Sequence, residues 1–150
     1  MKVFKPHPQA EKRRRSAVAL IKLLLASKRP EMLPKHVGEL LTTLVWKITE
    51  ADGKYKTRFQ SRGALECTDP KQLRHDHVYT RKRMVDALLN AGPEACEEIV
   101  KHAIGCTVTA SEHDLLSTFD DDHDGWERYR KAKVRVTNTE TGNQVIEDTD

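Results

Sequence analysis

Apolar residues recur with a helical period in the first third of the chain. After Pro34 they come at intervals of three and four residues, until Asp52-Gly53 interrupts the pattern; the apolar positions are Val37, Leu40, Leu41, Leu44, Val45 and Ile48. This spacing places them on one face of a helix. Trp46 falls off that face, and we expect it to be buried in a neighbouring groove. Residues 11–28 contain good helix formers and stop at Arg29-Pro30, so the pattern predicts two successive helices.

Helical signals continue after residue 66. Asp69 fits an N-cap, Pro70 fits the first helical position, and Gly92-Pro93 fits a helix end. The stretch predicts one helix over residues 70–91 or two helices broken near Asp76. A continuous helix would place an apolar stripe beside a basic stripe; the apolar stripe is Leu73, His77, Met84 and Leu88, and the basic stripe is Lys71, Arg74, Arg81 and Lys82. A shorter apolar stripe after Pro93 predicts another helix that ends at Gly105.

Short alternating segments predict the strands. Residues 54–66 form a short strand or an irregular arm, and residues 106–109, CTVT, form a strand followed by a capping box from Thr109 to Glu112 and a short helix. The closing segment 134–148 predicts a hairpin that pairs with CTVT. The fold class is therefore α+β, mainly helical, with four to five helices and a small C-terminal antiparallel sheet.

Length and composition favour one domain. A chain of 150 residues suffices for a single core, and we expect a flexible N-terminus at 1–9, a single α+β domain at 10–146 and an acidic tail at 147–150. No apolar run approaches the roughly 20 residues that span a bilayer, so we expect no membrane partner. The three cysteines, Cys67, Cys96 and Cys106, lack CxxC spacing and favour a reduced cytoplasmic compartment.

Charge is distributed unevenly along the chain. Residues 1–90 contain 20 Lys and Arg against 9 Asp and Glu, whereas residues 91–150 contain 6 against 14. A basic segment concentrates polyanions near it, most often nucleic acid. The alternative is a pair of ordinary solvated faces that partly neutralise each other once the chain folds.

Eleven basic residues are candidates for contact with nucleic acid. They are Arg13, Arg14, Arg15, Lys54, Lys56, Arg58, Arg62, Lys71, Arg74, Arg81 and Lys82. Tyr55 and Phe59 alternate with the basic residues between 54 and 62, a pattern that suits stacking on bases beside phosphate contacts. The alternative for this segment is an edge strand whose Lys and Arg side chains point to water.

The segment His75-Asp76-His77 raises the alternative of a metal-dependent, HNH-like nuclease. Together with Asn90 and His102 it loosely follows the spacing of a histidine base and metal ligands. On the predicted helix, however, His75 and His77 would point about 200° apart and could not share one ion. We therefore expect His77 to be a packed, hydrogen-bonded histidine, and we expect no metal or other cofactor.

The acidic segment 120–124 resembles the start of an EF-hand loop, with Asp120, Asp122 and Asp124 followed by Gly125. The twelfth loop position, which should hold a bidentate glutamate, is Lys131. A cation there would repel calcium, so we expect an exposed acidic turn. In that interpretation Asp124 caps a helix that runs to residue 132.

Three segments resemble small uncharacterised proteins of bacterial genomes and prophages: LRHDHVYTRKRMVDALL, GCTVTASEHDLL and GWERYRKA. The resemblance implies a bacterial, mobile-element or defence setting and carries no established activity. The leading hypothesis is a non-catalytic protein that binds nucleic acid, or a nucleic-acid-processing complex, through its basic face. The alternatives are the HNH-like nuclease and an acidic-surface inhibitor of a nucleic-acid-binding partner.

Overall fold

The computed structural model describes residues 2–146, and over this range the chain forms seven α-helices and a four-stranded mixed sheet. The helices are α1 (Ala10–Ala26), α2 (Pro34–Thr49), α3 (Arg62–Glu66), α4 (Arg81–Ala91), α5 (Cys96–Val100), α6 (Ala110–Ser117) and α7 (Gly125–Lys131). The strands are β1 (Phe59–Ser61), β2 (Leu73–His77), β3 (Gly105–Thr109) and β4 (Val136–Asn138). The α+β class is confirmed, whereas the predicted number of helices is too small.

The strands lie in the order β2-β3-β1-β4. β2 and β3 are antiparallel, β3 and β1 are parallel, and β1 and β4 are antiparallel. The prediction of an antiparallel C-terminal sheet is therefore wrong in part. β4 pairs with β1 and not with β3, because β3 already has a hydrogen-bonded neighbour on each side. Instead of a two-stranded hairpin, one isolated bridge joins Thr137 to Gln144.

The largest departure from the sequence prediction concerns residues 70–77. Only Pro70–Gln72 forms a helical turn, of the 3-10 type, and the chain then enters β2 and begins α4 at Arg81. The predicted apolar and basic stripes therefore do not lie on one helix. β2 forms because it pairs over its whole length with β3, from Leu73 opposite Thr109 to His77 opposite Gly105. A distant partner strand here outweighs a weak local helix signal.

Two apolar clusters hold the domain together. The first joins α1, α2, α4 and α5 and includes the fully buried Ile21, Leu41 and Leu88. The second packs the sheet against α6 and α7 and includes Leu116 and Tyr129. Tyr79, after β2, contacts both clusters. Three of the side chains described below, His75, Asp76 and His77, lie on β2.

The predicted patterns of α2 and α6 are confirmed. In α2 four stripe positions are buried, while Leu40 is exposed; the buried positions are Val37, Leu41, Val45 and Ile48. The capping box of α6 is present, with Thr109 and Glu112 exchanging hydrogen bonds. Cys96 is fully buried, as expected for a core residue. Asp124 is the N-cap residue of α7, although its carboxylate accepts a hydrogen bond from the Thr80 amide at 2.9 Å.

The N-terminal residues lie against the domain. The Phe4 amide donates to the Thr139 carbonyl, and the His7 amide donates to Asp52 at 2.8 Å. Their predicted flexibility stays a prediction, and the predicted acidic tail at 147–150 lies outside the described residues. Within residues 2–146, no helix combines the length and apolar character needed to cross a membrane.

Candidate functional site

A cleft opens along β2, which is an edge strand of the sheet. Its walls come from α2, from the loop that follows α2, and from the first turns of α4 and α6. The side chains relevant to chemistry there are Trp46, His75, Asp76, His77, Arg81 and His113. Because β2 is at the edge of the sheet, side chains from both of its faces reach this cleft. A helix over residues 70–91 could not bring the same side chains together.

His75 and His77 lie on the same side of β2. Successive side chains of a strand alternate between its faces, so residues two apart point the same way. The Nε2 atoms of His75 and His77 lie 3.0 and 2.8 Å from the Thr49 hydroxyl oxygen, and both rings contact Trp46. His77 is a packed, hydrogen-bonded histidine, as predicted. The argument that the two rings point apart is wrong, because it assumed a helix.

Burial keeps both rings neutral at pH 7. Loss of solvent lowers the pKa of His75 to about 4, and the charge of Arg81 acts in the same direction. The same loss of solvent, with His75 and Arg81 nearby, lowers the pKa of His77 to about 2. The Nδ1 atom of His75 is buried and has no hydrogen-bond partner within residues 2–146. The pair therefore forms an uncharged polar floor beneath the cleft.

The His75 ring occupies the space in which a side chain of residue 105 would lie, and only glycine at position 105 leaves that space free. A Cβ atom added to Gly105 would lie 2.6 Å from the His75 Cε1 atom and 2.9 Å from the Thr49 carbonyl oxygen. The backbone carbonyl cannot yield easily, so we expect Gly105→Ala to lower the free energy of unfolding by about 1–3 kcal/mol. Chemical denaturation measures this change.

The matched control is Gly38→Ala, because the added Cβ would meet only Val85, at an ordinary 3.8 Å. Gly38 lies inside α2, where alanine is the better helix former, so this variant should be neutral or more stable. Equal effects of the two substitutions would contradict the close packing of His75 against Gly105.

Asp76 points to the opposite side of β2 and is buried. Its Oδ2 atom accepts a hydrogen bond from Arg128 at 2.6 Å and another from the Tyr129 hydroxyl. Burial raises the pKa of Tyr129 well above its ordinary value, so this hydroxyl keeps its proton. Burial alone would lower the pKa of Arg128, but Asp76, Tyr129 and Asp120 together outweigh it, so the pKa of Arg128 is raised. The other carboxylate oxygen, Oδ1, lies 3.8 Å from Nε2 of His113.

The Arg81 guanidinium lies over the ring of Trp46 in the cleft. It lies 4.6 Å from the centre of that ring, and no hydrogen bond or ion pair holds it within the described range. Burial lowers the pKa of Arg81, and the charge of Asp76 partly offsets this. Trp46 is half-buried beneath it, so the predicted burial of Trp46 is confirmed in part.

The eleven predicted basic residues differ in their surroundings. Four of them line the cleft, namely Lys54, Arg74, Arg81 and Lys82. Arg13 donates to the Ala51 carbonyl, and the remaining arginines pair with carboxylates: Arg14 with Asp52, Arg15 with Glu11, Arg58 with Glu140 and Arg62 with Glu66. Lys56 and Lys71 are exposed and do not line the cleft.

The sequence did not point to His113 as a residue of this cleft, because His113 carries no signal beyond its place in the capping-box helix. Trp46 was expected in a groove, but not beside Arg81, and Thr49 gave no sign that its hydroxyl meets both buried histidines. Arg128, at 2% exposure the most deeply buried cation, lies 52 residues from its partner Asp76. No local pattern connects residues at such separations.

The acidic segment is less exposed than predicted. Asp120 forms an ion pair with Arg128 at 2.9 Å, and the Asp124 carboxylate accepts from the Thr80 amide, whereas Asp121 and Asp122 are exposed. Within residues 2–146, no three His, Cys, Asp or Glu side chains are grouped so that they could hold a metal ion.

Comparison with known proteins adds no assignment. No family model, no curated protein and no solved structure matches the chain. The resemblance to bacterial and prophage proteins therefore stays a prediction, and the function is argued from the cleft alone.

Proposed function

We propose that the protein binds nucleic acid, and that the cleft along β2 holds the phosphate backbone. The observation that carries this proposal is the position of Arg81, a half-buried cation over Trp46 with no counter-charge bound to it within residues 2–146. A cation that is partly removed from water is stabilised when an anion binds it. A phosphate group is the anion that an arginine fork fits best.

The surrounding charges favour the same ligand. Lys54, Arg74 and Lys82 line the cleft together with Arg81 and extend the positive charge along it. The two cleft aspartates, Asp76 and Asp120, are both bound by Arg128, at 2.6 and 2.9 Å. One of their two negative charges is thus offset before a ligand arrives, the four basic residues of the cleft outweigh the other, and the neutral histidine floor adds no competing charge.

Tyr55 gives the cleft an aromatic side chain beside its cations. Its backbone has a φ of 59°, in the left-handed region that residues with a side chain seldom adopt. Lys54 lies 5.1 Å from the centre of the Tyr55 ring. An aromatic ring beside phosphate-binding cations suits an unpaired base, so we expect tighter binding of single-stranded than of double-stranded nucleic acid.

The first test measures binding to labelled single-stranded and double-stranded DNA and RNA across a salt series. Binding through phosphates must weaken steeply as salt rises, because each contact releases counter-ions. Absence of binding to all four ligands at the lowest salt concentration would overturn the proposal.

Arg81→Ala should weaken binding by about tenfold at low salt and reduce the slope of log K against log salt by about 0.7–0.9, which is the loss of one phosphate contact. The matched control is Arg15→Ala, which removes the same charge from an exposed position on α1 that is paired with Glu11. We expect the control to bind nearly as well as the original protein. Equal losses of affinity in the two variants would show that binding depends on the overall basic charge and not on the cleft.

A further inference from the structure

Of the three histidines that line the cleft, His113 is the one that keeps substantial contact with solvent. Its side chain is 39% exposed, whereas His75 and His77 are each 7% exposed as residues. It lines the same cleft as Arg81. A solvent-accessible imidazole can reach a ligand in the cleft, which the buried pair beneath it cannot readily do.

The fold places His113 beside the buried carboxylate of Asp76. The ladder between β2 and β3 places Thr109 opposite Leu73, and α6 begins directly after Thr109. The capping box then fixes the first turn of α6, because Glu112 accepts from the Thr109 amide at 2.9 Å. One residue later, Nε2 of His113 lies 3.8 Å from Oδ1 of Asp76.

This arrangement has the form of a base oriented by a carboxylate. Asp76 is itself held by Arg128 and Tyr129, so its Oδ1 atom has a fixed direction. Such contacts are commonly longer without substrate and shorten when substrate binds. With Nε2 turned to Asp76, the Nδ1 atom of His113 is left to meet a ligand.

The cleft offers no protein nucleophile to this base. Within the described part of the chain, no hydroxyl or thiol hydrogen-bonds to the His113 ring, and the nearby Ser117 hydroxyl donates to the His113 backbone carbonyl instead. The attacking group is therefore water or a hydroxyl of the ligand, and a ligand hydroxyl that is already attached beside the phosphorus needs no separate binding. In a nucleic acid that group is the 2′-hydroxyl, which RNA has and DNA lacks.

We propose that the cleft cleaves RNA, with His113 as the general base, Asp76 as its positioning residue and Arg81 as the cation on the reacting phosphate. This inference rests on the nucleic-acid binding proposed above. His113 takes the proton of the 2′-hydroxyl, the 2′-oxygen forms a bond to the adjacent phosphorus, and the bond from phosphorus to the 5′-oxygen breaks.

The products are a 2′,3′-cyclic phosphate and a 5′-hydroxyl end. In-line displacement places the attacking and leaving oxygens on opposite sides of phosphorus, so the leaving oxygen takes its proton from water while His113 returns its own to solvent. Atoms and charge balance without an added co-reactant. Arg81 donates to the non-bridging oxygens, where negative charge increases in the transition state.

The test uses a single-stranded DNA oligonucleotide that contains one ribonucleotide, incubated with the full chain in the presence of EDTA. We expect cleavage on the 3′ side of the ribonucleotide, a cyclic phosphate in the product, and no cleavage of the all-DNA oligonucleotide. His113→Ala should slow cleavage by at least about 100-fold, the contribution typical of a general base, while binding changes little. His36→Ala, at an exposed position on α2, should cleave at the original rate.

Asp76→Asn tests the positioning residue. We expect a lower kcat with KM retained, because a misdirected His113 ring slows proton transfer while Arg81 still binds the phosphate. A purely structural role would leave kcat per folded molecule unchanged. If Asp76→Asn does not fold, the His113 variants still decide the question.

Three outcomes would overturn the inference. Binding of the oligonucleotide without cleavage would leave the proposed nucleic-acid binding intact but remove the catalytic role. Equal cleavage by His113→Ala would show that another group is the base. Cleavage only after addition of magnesium or manganese would favour the metal-dependent nuclease. Failure to bind any nucleic acid is a different result, because it overturns the proposed function together with the inference.

Discussion

Arg128→Met should lower the free energy of unfolding by about 3–5 kcal/mol, which corresponds to a fall in Tm of roughly 10 °C for a chain of this size. Arg128 is 2% exposed and binds Asp76 and Asp120 at 2.6 and 2.9 Å. Methionine fills much of the space but leaves the Asp76 carboxylate buried without its cation. Denaturant unfolding at pH 7 measures the loss.

The control for this prediction is Arg62→Ala. Arg62 and its partner Glu66 are each 66% exposed, so removal of this pair should change stability by less than about 1 kcal/mol. The double variant Asp76→Leu with Arg128→Met removes both buried charges. Its loss of unfolding free energy should be smaller than the sum of the losses in the two single variants. Additive effects would show that the two side chains do not act as a buried ion pair.

Local sequence patterns predicted α1, α2 and α6. α1, α2 and the capping box of α6 are each determined by residues within four positions of one another, so their signals can be read directly from the sequence. The same reasoning failed on β2. Its identity depends on the ladder to Gly105–Thr109, about 30 residues later, whereas its own residues carry an ambiguous local signal.

The cleft could be predicted in some of its residues but not in its arrangement: His75, Asp76 and His77 were singled out as an alternative site, and all three line it. Arg74, Arg81 and Lys82 were candidates because basic residues cluster in this part of the sequence, and all three line the cleft. Their arrangement could not be predicted, because it follows from the strand that replaced the expected helix. His113 and Arg128 reach Asp76 only through the order of the strands and the placement of α6 and α7, which no spacing in the sequence encodes.

Acid should destabilise the domain through the His75 and His77 pair. The pKa of each ring is lowered by folding, to about 4 and about 2, from the value near 6.5 of an unfolded chain. Below pH 6.5 the unfolded chain therefore binds protons that the folded chain does not, so stability falls as pH falls. Between pH 7.5 and pH 5 each ring should contribute a loss on the order of 2 kcal/mol.

The size of this loss at pH 5 depends little on the folded pKa values, because both lie below 5. Together the two rings should remove on the order of 4 kcal/mol, a large share of the 5–15 kcal/mol typical of a domain. His77→Gln removes one titrating ring, so its own loss between pH 7.5 and pH 5 should be about 2 kcal/mol smaller, whatever its stability at pH 7.5. His36→Gln, at an exposed position, should follow the original curve. Urea unfolding at both pH values measures these losses. An equal loss of unfolding free energy in His77→Gln and in the original protein would show that His77 accepts a proton in the folded domain and is not neutral there.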